Sequence, residues 1–136
     1  MKFEDRYFVK FDFTKAQIVK NFPNALRDLD IAKKDPFLDV KFNYTYTALL
    51  KSGIALLSFY RQKVKSAPGH HIKIIEKLAE LLKNSDIADL GNVMRSKRNS
   101  DLYDGGIEVT TKECKEYISF VDDVIGKAAK IIEKVK

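Results

Sequence analysis

From Phe37 onward, Val40, Tyr44, Leu49, Leu50, Gly53, Ile54, Leu57, Tyr60 and Val64 recur at intervals close to a helical turn. That spacing lays them along one face and predicts a single long helix. The SAPG sequence at Ser66 to Gly69 stops it, because proline and glycine break helical continuity. A further helix follows, with Ile72, Ile75, Leu78, Leu81 and Leu82 on one side. Asn84-Ser85 ends that helix and can cap the next, which runs from Asp86 to Asp104 with Ile87, Leu90, Val93 and Met94 toward the core. Gly105-Gly106 terminates it, since glycine tolerates the positive φ of a helix C-cap.

The cleanest stripe lies in the last helix: Cys114, Tyr117, Ile118, Val121, Val124, Ile125, Ala128, Ile132 and Val135. The TTKE sequence at Thr110 to Glu113 opens it as a capping box, in which Thr110 and Glu113 satisfy each other's free backbone donors. Before Phe37 the pattern is broken. Thr14 can cap a short helix ending near Asn21, and Pro23 suits the first turn of another that runs to about Lys34. Asp35-Pro36 restarts the pattern. Residues 1–13 alternate loosely and fit either a short strand or an extended arm. The whole predicts a single all-α domain over residues 1–136, an up-and-down bundle of about five helices.

At 136 residues the chain is long enough to bury a core without covalent staples. The single cysteine, Cys114, excludes an internal disulfide and any multi-cysteine zinc site. It lies on an apolar stripe and is expected to be a core thiol. The first twenty residues carry charges throughout, unlike a secretory leader, and no apolar run is long enough to span a bilayer. A cytoplasmic protein without a membrane partner is expected.

The net charge of +6 points weakly to anionic partners. Its distribution is more telling. Arg61 to Lys73 reads RQKVKSAPGHHIK, with both histidines of the protein and no acid. A helix–loop–helix corner thus concentrates positive charge around Arg61, Lys65, His70 and His71.

The segment RSKRNSDLYDGG, Arg95 to Gly106, is the second candidate. On one helix, Arg95, Arg98, Asn99, Leu102 and Tyr103 fall within a sector of about 140° beside the apolar face. An arginine pair suits phosphate, because each guanidinium is permanently charged and can bond two oxygens. Asn99 can orient an arginine or read a base, and Tyr103 can stack on one. The alternative is a solvated rim with no ligand. His70 and His71 follow a prolyl turn at a helix start, where free N–H groups attract anions and an imidazole offers a base near neutral pH. The alternative there is a cap plus one half-buried ring. Adjacent residues on a helix point about 100° apart, so the two histidines are not expected to act as a pair. The aromatic stretch from Asp35 to Leu50 reads as a packed helix. No metal site and no cofactor are expected, and no Walker loop, GxGxxG, HExxH or GxSxG sequence occurs.

The long helix YTYTALLKSGIALLSFYRQKVKS, the GHH turn, MRSKRNSDLYDGG and the final helix opened by TTKECKEYISFVDDVI occur in an order that resembles the HEPN domain family. These are small helical bundles of prokaryotic toxin–antitoxin and defence systems. The resemblance covers roughly residues 24–132. It implies a metal-independent RNase site built on an Arg-Asn-x-x-x-His signature, with two copies meeting in a homodimer. Arg98 and Asn99 match the first two positions, but Tyr103 stands where the histidine would be. With an ordinary pKa near 10, tyrosine is a weak general base at neutral pH. The arginines can still stabilise a developing phosphorane, and His70 or His71 can supply the base if the turn folds over this helix.

The resemblance thus implies binding of RNA or a nucleotide at a degenerate RNase site. Arg98, Tyr103, His70 and His71 are the catalytic candidates; Arg95, Arg98, Asn99, Tyr103, Arg61 and Lys65 are the binding candidates. Two alternatives stay open: an active endoribonuclease toxin, and a non-catalytic interaction module or partner of a minimal nucleotidyltransferase. Some family members carry a tyrosine, modified with AMP by such a partner, where this chain has Gly105.

Overall fold

The computed structural model describes residues 2–103, 105 and 108–135, with backbone alone for Asn21, Asp101, Leu102, Tyr103 and Val135. Among the described residues five helices make up an all-α bundle, α1 (Lys15–Lys34), α2 (Leu38–Phe59), α3 (His70–Leu81), α4 (Ser85–Tyr103) and α5 (Thr111–Ile132). A short 3-10 turn, Glu133–Val135, follows. A two-stranded antiparallel ribbon, β1 (Phe8–Lys10) and β2 (Gln62–Val64), flanks the bundle.

α2 is the central element. It packs against each of the other helices, most closely against α1 and α5. Tyr46, Leu49, Leu56 and Leu57 are fully buried along it. An ion pair joins it to α1, the partly exposed Lys51 Nζ lying 2.7 Å from the buried Asp28 carboxylate. α5 enters through the expected capping box of Thr110 and Glu113, and buries Cys114, Tyr117, Val121, Val124, Ile125, Ala128 and Ile132 against the core. Cys114 is the expected core thiol, and its Sγ donates to the Leu38 carbonyl at 3.5 Å.

Three sequence expectations are corrected. Residues 15–34 form one helix, not two, with Pro23 inside it. Proline removes one backbone hydrogen bond and costs about 3 kcal/mol in a helix interior. Burial of Ile18 and Leu29, at about 1.5–3 kcal/mol each, is enough to offset that cost. The long helix also ends at Phe59, short of Ser66. Arg61 takes a positive φ of 60°, and residues 62–64 then pair with β1, Phe8 opposite Val64. The pairing wins because it buries Phe8 in the core. The basic corner is therefore a ribbon edge and turn. Finally, Ile54 and Val93, expected in the core, are largely exposed.

The N-terminal arm lies against α3. Lys77 is only 4% exposed; its ammonium donates to the Lys2 carbonyl and pairs with Glu4 at 3.5 Å. Lys73 pairs with Glu4 at 2.9 Å. Two glycines let α3 approach its neighbours. A Cβ built at Gly53 would stand 2.6 Å from Ile74 Cγ2, and one at Gly91 would stand 2.7 Å from Ile75 Cγ2. Both obstacles are branched methyls with little freedom to yield.

Gly91→Ala is therefore expected to destabilise the fold by about 1–3 kcal/mol through overpacking, despite alanine's better helix propensity. Urea unfolding checks this; an unchanged or raised midpoint would contradict the close approach.

Candidate functional site

The turn before α3 sets the site. Pro68 and Gly69 reverse the chain, with Gly69 in the left-handed region at φ 82°. The Ala67 carbonyl accepts from the His70 backbone N–H at 3.0 Å and lies 2.8 Å from His70 Nδ1. His70 is thereby drawn back over the turn, while His71 points toward α2. Their rings nevertheless meet edge to face, with centroids 4.4 Å apart. The expectation that neighbouring helical histidines diverge is corrected: His70 occupies the first helical position, where its side chain folds back to the preceding carbonyl.

Across from this turn runs α4. Ser66 to Ile72 on one side and Arg95 and Asn99 on the other line an open cleft of about 450 Å³. Arg95 Nε donates to Asn92 Oδ1 at 3.4 Å, which leaves the outer guanidinium nitrogens for other acceptors. Arg98 is half-buried, its guanidinium 5.7 Å from the centre of the Tyr46 ring, a cation–π arrangement. Among the described residues neither arginine has a carboxylate partner within salt-bridge distance. Lys97, between them, instead pairs with Glu113 at 3.3 Å and anchors α4 to the start of α5.

Tyr46 was not among the site residues found in the sequence. It is fully buried on α2, and its hydroxyl lies 3.3 Å from His71 Nδ1. Burial pushes the phenol up to about 12, against the opposing pull of Arg98 and Arg95. Burial is also the main reason His71 titrates below the usual histidine value, with His70, Arg98 and Arg95 adding to the effect. The His71 imidazole that lines the cleft is thus backed by the buried phenol of Tyr46, with two cations beside them.

No family model matches the chain, and no curated protein or solved structure matches it. The geometry alone therefore defines the candidate site.

Four of the residues singled out in the sequence, His70, His71, Arg95 and Asn99, line one cleft. Arg98 sits beside it on Tyr46. The side chains of Tyr103 and Leu102 lie outside the described residues, although the backbone of Tyr103 ends α4. Gly105 has a positive φ of 86°. Arg61 and Lys65 do not line the cleft. Arg61 is 3.7 Å from the Asp12 carboxylate, and Lys65 donates to the Asp5 carbonyl. They hold the N-terminal arm. Among the described residues no group of three or more His, Cys, Asp or Glu side chains converges to hold a metal ion, and no helix is long and apolar enough to cross a membrane.

A chemical consequence follows from His71. Its folded pKa lies below the ordinary histidine value of about 6.5, so the unfolded chain binds the proton more tightly. Stability is then expected to fall as pH drops below about 6.5 toward the folded pKa, and His71→Ala is expected to remove that part of the slope. Chemical denaturation across this range, for both proteins, measures it; an identical slope in the variant would contradict the burial of a neutral imidazole.

Proposed function

We propose that this chain is a HEPN-like bundle that binds RNA or a nucleotide, gripping phosphate with Arg95, Arg98 and Asn99 beside His70 and His71. The carrying observation is the cleft itself, in which the first turn of α3 faces two residues of the Arg95–Asn99 segment. A helix start, a guanidinium and a carboxamide are donors suited to phosphate oxygens. The net charge of +6 favours encounter with an anionic ligand. Tyr103 belongs to the site by its place in the sequence signature, and Arg61 and Lys65 lie at the periphery. Homodimer formation, a toxin–antitoxin setting and a neighbouring nucleotidyltransferase belong to the same proposal and rest on the resemblance; a cytoplasmic location is proposed with them on the single cysteine.

A metal-independent endoribonuclease is the second reading. It is favoured by the two imidazoles at the cleft, which offer proton transfer where the signature histidine is replaced. Clean protein cutting RNA in excess chelator, and losing that activity in Arg98→Ala, would support it. No cleavage by the wild type would refute it.

For binding, affinity for a short RNA should fall with salt, each phosphate contact contributing a logarithmic slope of about 0.7. Arg95→Ala with Arg98→Ala should flatten that slope and weaken binding. Unchanged binding by the double variant would reduce the two arginines to a solvated rim.

A further inference from the structure

We infer that the cleft holds its two histidines in opposite tautomers, His70 offering a bare Nε2 and His71 an Nε2–H, so that it selects an oxyanion accompanied by a hydroxyl. This rests on the proposed reading of the cleft as an anion site, and specifies what the ligand must carry.

Two hydrogen bonds fix the tautomers. His70 Nδ1 is 2.8 Å from the Ala67 carbonyl, which can only accept. Nδ1 of His70 therefore carries the proton, and in the neutral ring Nε2 is left with a lone pair. For His71 the partner is the Tyr46 hydroxyl, which can donate or accept. Tyr46 is fully buried, and His71 Nδ1 is its hydroxyl's hydrogen-bond partner among the described residues. Were His71 to donate, the phenolic proton would be left buried and unpaired, a costly outcome. The phenol therefore donates, Nδ1 accepts, and the proton of the neutral imidazole sits on Nε2. Tyr46 is a positioning residue: it acts on a ligand only through His71.

The groups around His71 favour its neutral ring. Arg95 and Arg98 on α4 and the un-ionised Tyr46 on α2 face His71, and His70 adjoins it on α3. The cleft then presents Arg95 and the Nε2–H of His71 as donors, with the Nε2 of His70 as an acceptor. A fully deprotonated oxyanion leaves that acceptor facing a lone pair. An oxyanion with its own hydroxyl, or with a sugar hydroxyl beside it, satisfies both sides. A hydroxyl-bearing phosphoryl group is the shared chemistry.

The test uses four probes at about pH 8, above the ordinary histidine range. They are inorganic phosphate, which keeps one proton there, sulfate, which keeps none, and a ribo- and a deoxyribo-dinucleotide. Calorimetry should show phosphate preferred over sulfate, or the ribo over the deoxyribo form, by about tenfold. The former places the hydroxyl on the phosphate, the latter on the sugar. His70→Ala should erase the preference within each pair of probes. Imidazole nitrogen NMR of the wild type should report Nδ1–H for His70 and Nε2–H for His71, and Tyr46→Phe should release the bias of His71 alone.

Equal binding within both pairs, or the same tautomer on both rings of the wild type, overturns the inference while leaving an anion site. Failure of all four probes to bind removes the anion site itself, and the ligand selection with it. Circular dichroism guards against unfolded variants, and the wild-type tautomers remain decisive if Tyr46→Phe does not fold.

Discussion

The close approach of α3 to its two neighbours is the constraint on which the cleft depends. Ile74 lies against Gly53 of α2, and Ile75 against Gly91 of α4, at separations that leave no room for a Cβ. This contact seats α3 between the two helices. From there His71 reaches the buried hydroxyl of Tyr46, and its first turn faces Arg95 and Asn99. A wider spacing would part the imidazole from the phenol and let water between them. The two contacts follow one another along α3, so they fix its rotation as well as its distance.

Charge is distributed in a way that fits this seat. Lys73 and Lys77, farther along α3, are neutralised by Glu4 and by the arm that lies over them. Lys97 is tied to Glu113. The positive groups next to the cleft are instead arginines, whose guanidinium is weakly hydrated and packs on aromatic faces. Arg98 does so on Tyr46. Burial and these cations together disfavour protonation of His71. An anion in the cleft would reverse the local balance, since an opposite charge favours the protonated imidazole. Binding of an anion there would therefore be linked to protonation of His71.

Much of the fold was legible in the sequence because its signals are local. The capping box at Thr110 and Glu113, the cap at Thr14 and the apolar stripe from Cys114 to Ile132 each lie within a few turns of chain. The errors arose where distant residues decide. Pro23 reads as a helix start until α2 and α5 pack on α1. Residues 62–64 continue a helical pattern until Phe8–Lys10 arrives to pair with them. At the site, the Arg95–Asn99 segment and the GHH turn stand out by composition, but their juxtaposition depends on how α3 packs against α4, which no local pattern encodes. Tyr46 gave no distinguishing signal. Its spacing is that of a core aromatic, which it is, and only its hydroxyl meets a residue 25 positions away.

The central claim is that an anion occupies the space between the first turn of α3 and Arg95. Chemical-shift mapping with a ribonucleotide measures this most directly. The Arg95 Nε–H and the His71 imidazole should shift along one common saturation curve, with the backbone amides of the α3 first turn moving in step. Shifts confined to the Arg61–Lys65 ribbon, or none at saturating ligand, would contradict it.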